Sequence, residues 1–143
     1  LLYETISEEK FATLFYGILD TQRHDLILCN AGHDQPFLIA SDGQITRLQT
    51  GGIPLGMLPS FPYEEEVRVL QSGETLVICS DGIAEAWNSD YEHFGEERLS
   101  EIIRTHRGAD SKQLIEHILS AVKSYVGDFP PMDDMTLVVV KRL

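Results

Sequence analysis

The hydrophobic periodicity of this chain changes along its length, and that change limits the folds available to it. Before residue 80 the apolar residues form short runs separated by turn residues, a pattern typical of β-strands. After residue 95 they recur at every third or fourth position, which is typical of amphipathic helices. A last apolar run, residues 135–140, follows Pro130-Pro131. This order predicts an α+β fold in which helices pack on a mostly antiparallel sheet.

Turn signals divide the first half of the chain into short strands. Strands are predicted over residues 11–20, 26–31, 36–40, 45–48 and, at a sheet edge, 67–69. Ser41-Asp42-Gly43-Gln44 predicts a hairpin turn, because an Asp-Gly pair provides the positive φ angle that tight turns need. Residues 49–62 are so dense in glycine and proline that they predict a loop without strand or helix.

The second half predicts one buried strand and two helices. Residues 75–79 are apolar and β-branched without interruption, which predicts a central strand buried on both faces. Helices are predicted around residues 99–103 and 114–126. Asp110 and Gln113 resemble a capping box at the start of the second helix, and Gly127 stands where that helix should stop.

Charge and composition narrow the class of protein. The chain has 143 residues, of which 11 are Lys or Arg and 23 are Asp or Glu, for a net charge of −12. This charge argues against a nucleic-acid or anionic-membrane binder, because phosphate groups would be repelled. No apolar run has the length of a membrane span, and no leader pattern is expected. Cys29 and Cys79 end apolar runs, so we expect buried thiols in a reducing, cytoplasmic compartment.

Acidic residues follow one predicted strand and precede another. Asp81 comes directly after residues 75–79, and Asp133-Asp134 comes directly before the final strand. If these strands are antiparallel neighbours, Asp81 and Asp133 converge, and clustered carboxylates usually bind a divalent cation such as Mg²⁺ or Mn²⁺. A structural role stays open for each. Asp81 would then be a turn or cap residue, since Ser-Asp-Gly also occurs at 41–43 in a predicted hairpin turn. Asp133-Asp134 would be part of a solvated loop.

Other polar and aromatic residues carry weaker signals. His33 follows Asn30 at a strand end, and we expect it to be a hydrogen-bonded structural residue rather than a base or a ligand. Trp87 and Phe94 are expected in the core or in helix packing. No serine or cysteine stands in the context of an activated nucleophile, and no glycine-rich phosphate loop is followed by lysine.

Six short motifs occur in order along nearly the whole chain. They are Phe11-Ala12-Thr13-Leu14-Phe15-Tyr16-Gly17, Asn30-Ala31-Gly32-His33-Asp34-Gln35-Pro36, Gly52-Ile53-Pro54-Leu55-Gly56, Ser80-Asp81-Gly82-Ile83-Ala84-Glu85-Ala86, Phe94-Gly95 and Asp133-Asp134-Met135-Thr136. Each motif alone is a weak signal. As an ordered set they resemble the SpoIIE/RsbU-like branch of the metal-dependent serine/threonine protein phosphatases, the PPM family.

The resemblance implies a fold and a chemistry. The family fold is a β-sandwich flanked by helices, with a binuclear Mg²⁺ or Mn²⁺ site at one edge. By this resemblance Asp81 and Asp133 are metal ligands and act in catalysis, while Asp134 either binds the metal or orients its neighbour. In such a site the metals polarise the phosphoryl oxygens and activate a water that attacks phosphorus.

One family motif is missing from the sequence. The Gly-Asp pair that normally opens the domain and bridges both metals is absent, and the only Gly-Asp, at 127–128, lies in the wrong place. Residues 1–4 look like the end of the helix that precedes the first matching strand. We therefore expect residues 1–143 to be the C-terminal portion of a single phosphatase domain, with weak metal binding and little or no turnover alone.

The resemblance also implies partners. In this branch the substrate is typically the phosphoserine or phosphothreonine of an anti-anti-sigma (STAS) protein, and a sensory or receiver domain lies upstream. A homodimer is a further expectation, because an open sheet edge favours association. The alternative is a non-catalytic regulatory module that binds a partner on the same scaffold. Retention of Asp81 and Asp133 favours the enzyme, since a scaffold has no need for clustered carboxylates.

Overall fold

The described part of the chain forms eight strands and three helices. The structure is a computed structural model that describes Tyr3, residues 10–130 and residues 132–143. The strands are β1 (Leu14–Asp20), β2 (Asp25–Ala31), β3 (Phe37–Ile39), β4 (Ile45–Arg47), β5 (Gly51–Gly52), β6 (Glu66–Val69), β7 (Thr75–Cys79) and β8 (Leu137–Lys141). The helices are α1 (Asp81–Ala84), α2 (Glu96–Thr105) and α3 (Ser111–Val126). The chain divides into two compact units, residues 1–35 with 48–71 and residues 36–47 with 72–143.

The first unit contains a sheet built around β2. Strands β1 and β6 are antiparallel to β2, whereas β5 is parallel to it. The prediction that residues 49–62 contain no strand is therefore wrong at β5. The pairing is possible because Gly51 lacks a side chain, and a Cβ there would lie 1.9 Å from the Asn30 carbonyl oxygen.

The second unit contains an antiparallel sheet in the order β4-β3-β7-β8. The predicted hairpin turn joins β3 to β4, where the N–H of Gly43 donates to the Ala40 carbonyl oxygen. Strand β7 lies between β3 and β8 and is buried along most of its length, so the predicted central strand is confirmed.

The predicted helices form where the periodicity indicates them. The capping box of α3 is present, since the Asp110 carboxylate accepts from the Gln113 N–H at 2.8 Å, and the helix ends at Gly127. Helix α1 is a single turn that directly follows β7 and stops at Ala84. The chain turns back there, and the N–H of Gly95 donates to the Ala84 carbonyl oxygen.

The core of the second unit lies between its sheet and helices α2 and α3. Its buried apolar residues are Phe37, Ile39, Val77, Cys79, Ile83, Phe94, Leu99, Ile103, Leu114, Ile118 and Val122. A fully buried side chain of this size stabilises the fold by about 1.5–3 kcal/mol. The core therefore holds β7 and β8 rigid, and these strands carry the candidate carboxylates at their ends.

The predicted α+β class, with mostly antiparallel strands, is confirmed. The helix end predicted at residues 1–4 lies outside the described residues, apart from Tyr3. Among the helices that the structure describes, none has the length and apolar character needed to cross a membrane.

Candidate metal centre

Strands β7 and β8 place the backbone on either side of Asp81 beside the Asp133-Asp134 segment. The two strands are antiparallel neighbours, with Cys79 opposite Leu137 in the register. Beyond that pair, the Ser80 N–H donates to the Thr136 carbonyl oxygen at 3.0 Å. The end of β7 and the segment that enters β8 therefore run side by side, which is the condition on which the sequence prediction depended.

The Ser80 hydroxyl joins these two segments. It donates to the Asp134 carbonyl oxygen at 3.0 Å and accepts from the Thr136 N–H at 2.9 Å. Because both partners are backbone groups of the opposite segment, this one side chain fixes the spacing between the acidic residues. Ser80 is thus a positioning residue at the junction.

Gly82 allows the closest approach of the two segments. A Cβ at this position would lie 2.5 Å from the Asp134 carbonyl oxygen and 3.1 Å from its carbonyl carbon. Real side chains do not approach a backbone oxygen so closely, so only glycine fits without a shift of the backbone. The glycine of the Ser-Asp-Gly motif therefore allows the backbone next to Asp81 to pack against the Asp134 carbonyl.

The three carboxylates are exposed to solvent. The Asp81 carboxylate accepts from the Gly82 N–H at 2.9 Å, and the Asp133 carboxylate accepts from the Asp134 N–H at 2.7 Å. Both bonds are local and equally suit the turn or cap role. None of the three carboxylates forms an ion pair with a residue that the structure describes.

These donors suit a divalent cation in kind but not in number. Carboxylate oxygens are the ligands that Mg²⁺ and Mn²⁺ prefer, and acidic side chains without a cationic partner are available to bind one. Within the described ranges, however, no group of three or more His, Cys, Asp or Glu residues converges closely enough to hold a metal ion. The junction therefore fits part of a metal site.

The Asn30–Pro36 motif has a structural role in the first unit. Asn30 is 3% exposed, and its amide donates to the carbonyl oxygens of His33 and Leu48 and accepts from the His33 N–H. His33 takes part in this network through its backbone, so the key side chain is Asn30, which the sequence reasoning did not single out. Gly32 packs against Pro54, and a Cβ there would lie 2.4 Å from that ring.

The cysteines and aromatic residues lie largely as expected. Cys79 is buried and Cys29 half-buried, and neither forms a disulfide in the described part of the chain. Burial, aided by the nearby charge of Glu65, raises the pKa of the Cys29 thiol. Phe94 is in the core as predicted. Trp87 is only half-buried and lines a cavity beside the carboxylates.

Comparison with known proteins agrees with this arrangement. Protein IcfG of Synechocystis is 30% identical over 132 residues, which are 92% of this chain and 21% of that protein. Phosphoserine phosphatase RsbU of Bacillus subtilis is 24% identical over 140 residues, 97% of this chain and 41% of that protein. The chain thus spans less than half the length of these relatives.

The fold is that of the PP2C-type phosphatases. The SiaA-PP2C domain of Pseudomonas aeruginosa superposes with a TM-score of 0.76 at 21% identity, covering 90% of this chain and 51% of that one. The entire sequence, residues 1–143, matches the sequence model described as Stage II sporulation protein E (SpoIIE). The chain belongs to the SpoIIE family, and the resemblance seen in its six motifs is confirmed.

Proposed function

We propose that residues 1–143 are the C-terminal portion of a PP2C-type domain that hydrolyses phosphoserine or phosphothreonine on a partner protein. The observation that carries this proposal is the β7–β8 junction, where acidic residues without ionic partners among the described residues lie on adjacent strand ends. Membership of the SpoIIE family and the name of the RsbU relative, a phosphoserine phosphatase, support it.

The proposed roles come from the family resemblance, and the pairing of β7 with β8 supports them. Asp81 and Asp133 would hold the divalent cation, and Asp134 would either bind it or orient Asp133. A bound Mg²⁺ or Mn²⁺ pair neutralises phosphoryl charge and activates a water as the nucleophile. The contribution of this chain is to keep the carboxylates in place: Ser80 ties the two segments together, and Gly82 permits their approach.

The number of ligands supports the proposal that residues 1–143 are only the C-terminal portion of the domain. A metal pair needs more oxygen ligands than the described junction provides. We infer that the remaining ligands belong to the Gly-Asp segment expected upstream of residue 1. Alone, residues 1–143 would bind metal weakly and turn over little or no substrate.

The proposed substrate is a phosphorylated anti-anti-sigma protein of the STAS type. This inference comes from the family resemblance, as does an upstream sensory or receiver domain. A homodimer is part of the same proposal. The net charge of −12 supports a protein partner over a nucleic acid, because it repels a phosphate backbone.

The test uses the parent protein, which includes the sequence upstream of residue 1. With Mn²⁺ it should hydrolyse p-nitrophenyl phosphate and a phosphoserine peptide, and Asp81→Asn should remove nearly all of that activity while the thermal unfolding midpoint changes little. Asp42→Asn is the matched control, because Asp42 stands in the other Ser-Asp-Gly sequence of the chain, in the β3–β4 turn. Activity that survives Asp81→Asn, or no Mn²⁺-dependent activity at all, would overturn the proposal.

The alternative is a module that binds a partner without catalysis. The incomplete donor set of the described residues is the observation that favours it. In that case the parent protein would bind phosphorylated and unphosphorylated partner without consuming the phosphate. Release of inorganic phosphate in the Mn²⁺ assay therefore separates the two functions.

A further inference from the structure

A cavity of about 570 Å³ opens beside the candidate metal centre, within the second unit. Gly82 and Asp133 belong both to its wall and to the β7–β8 junction. A ligand whose phosphoryl group reached the carboxylates would therefore place its neighbouring groups at or in this cavity. Such a volume is in the range of sites that bind small molecules and side chains.

One wall of the cavity is a stripe of helix α3. Leu119, Val122, Lys123 and Val126 have the i, i+3, i+4, i+7 spacing that lines up side chains on one face of a helix. Val122 is buried against the sheet, whereas Leu119 is 41% exposed. The apolar face of α3 is thus wider than the part that packs on the sheet. The remaining apolar side chains of this face line the cavity.

A second wall is aromatic. Trp87 and Phe129 line the cavity, and Tyr91 packs edge-on against both, with ring centroids 6.0 Å and 5.7 Å away. The Trp87 ring also lies 4.6 Å from the His93 ring. These ring contacts join residues that lie before and after the chain reversal following α1. The aromatic wall is therefore a preformed apolar surface.

Two methionines complete the apolar lining. Met132 and Met135 are 70% and 44% exposed, and both border the cavity on the segment that carries Asp133. Methionine side chains are flexible and polarisable, and they are common on surfaces that adapt to apolar partners. Exposed apolar side chains that are grouped in this way are typical of interaction surfaces.

Lys123 is the cation in the lining of the cavity, which also contains the acidic side chains of Glu85 and Asp133. It lines the cavity, is exposed, and forms no ion pair with any residue in the described ranges. In a chain with a net charge of −12, a cation at the mouth of an apolar cavity is complementary to an anionic group on the occupant. A phosphorylated segment brings such a group with it.

We propose that this cavity is a specificity subsite that receives a large apolar side chain next to the phosphoserine of a partner protein. The phosphoryl group lies at Asp81 and Asp133, the apolar side chain packs between Leu119 and Trp87, and Lys123 pairs with an acidic group of the same segment. This inference rests on the proposed phosphatase function. It adds that the site recognises an apolar side chain next to the phosphoserine of the substrate.

The test measures binding with the parent protein carrying Asp81→Asn, which prevents turnover, in enough Mn²⁺ to saturate the ligands that this variant keeps. The probes are fluorescein-labelled phosphoserine peptides with leucine at one position at a time, and a matched set with serine in its place. Leucine at one or two positions should tighten binding about tenfold, the range expected for burial of one such side chain. Equal affinity for the leucine and serine sets at every position would overturn the subsite.

Variants locate the binding. Leu119→Gln should remove most of the preference for leucine-containing phosphopeptides, whereas Lys123→Glu should weaken binding of the leucine and serine sets alike. Lys112→Glu is the matched control, because Lys112 is also exposed on α3 but does not line the cavity. Trp87 is the only tryptophan of these 143 residues, so its emission, measured against a Trp87→Phe blank, should change on binding. A leucine preference that survives Leu119→Gln would place the binding elsewhere and overturn the proposal.

Failure of this inference is separable from failure of the phosphatase proposal. If the wild-type parent protein hydrolyses p-nitrophenyl phosphate but shows no leucine preference, the phosphatase stands and the subsite is wrong. If it hydrolyses neither p-nitrophenyl phosphate nor any peptide, the phosphatase proposal is wrong, and the reading of the cavity as a substrate subsite falls with it.

Discussion

At the scale of single residues, the candidate centre depends on two small side chains next to the acidic ones. Ser80 connects the ends of β7 and β8 through two hydrogen bonds to backbone groups, at 3.0 and 2.9 Å. Gly82 leaves the space that the Asp134 carbonyl occupies. The position of the carboxylates therefore depends on Ser80 and Gly82. A substitution at Gly82 should displace Asp81 and Asp133.

Gly82→Ala should destabilise the fold by about 1–3 kcal/mol, because its Cβ must displace backbone. It should also weaken Mn²⁺ binding by the parent protein. Denaturant unfolding and calorimetric titration measure the two effects. Gly108→Ala is the control, since a Cβ there meets nothing within 4 Å and its effect should stay within about 0.5 kcal/mol. Equal stability of the two variants would show that the Gly82 contact does not matter.

At the scale of elements, an ion pair joins the edge strand β4 to the start of α2. The Arg47 guanidinium donates to both carboxylate oxygens of Glu96, at 2.7 and 2.8 Å, and lies 3.9 Å from the centre of the Phe37 ring. The hydrogen bond from Arg47 lowers the pKa of Glu96 below its ordinary value of 4.5, although partial burial opposes the shift. The helix start is thus attached to the sheet in a pH-dependent way.

Because the pKa of Glu96 is lowered on folding, its contribution to stability is complete above pH 4.5 and is lost as the pH falls through the lowered value. Glu96→Gln should therefore reduce the free energy of unfolding at neutral pH and flatten its decline below pH 4.5. Glu97→Gln, in the same helical turn, is the control for loss of a charge alone. Urea unfolding at a series of pH values tests this, and identical slopes for Glu96→Gln and wild type would contradict it.

At the scale of the whole molecule, the chain has a complete core in its second unit but an incomplete set of candidate metal ligands among its described residues. Folding and metal binding thus have different requirements here. The core needs the packing of β3, β7, β8, α2 and α3, whereas the metal site needs ligands that the described residues do not bring together.

Residues 1–143 alone should bind Mn²⁺ at least about tenfold more weakly than the parent protein, because affinity follows the number and charge of the ligands. Isothermal titration of both proteins measures the difference. Asp81→Asn should abolish the remaining binding to the isolated chain, and Asp42→Asn should not change it. Equal affinity of the isolated chain and the parent protein would show that residues 1–143 hold a complete site.

Elements that depend on local interactions could be predicted from the sequence alone. The β3–β4 turn, the Asp110 capping box and the stop at Gly127 involve residues at most four positions apart, so their patterns are readable along the chain. The ordered motifs likewise led to the family without any coordinates. The same reasoning missed β5, because its pairing with β2 depends on a backbone approach at Gly51 that no local pattern shows.

The way in which distant segments meet depends on the packing of the folded chain. Ser80 and Asp134 are 54 residues apart, and their hydrogen bond follows from the pairing of β7 with β8, which the sequence allowed but did not require. The cavity arises in the same way, from Trp87, Leu119 and Met132 on three separate segments. Such contacts depend on the packing of the whole core, so a reading of neighbouring residues identifies the carboxylates but not the surface beside them.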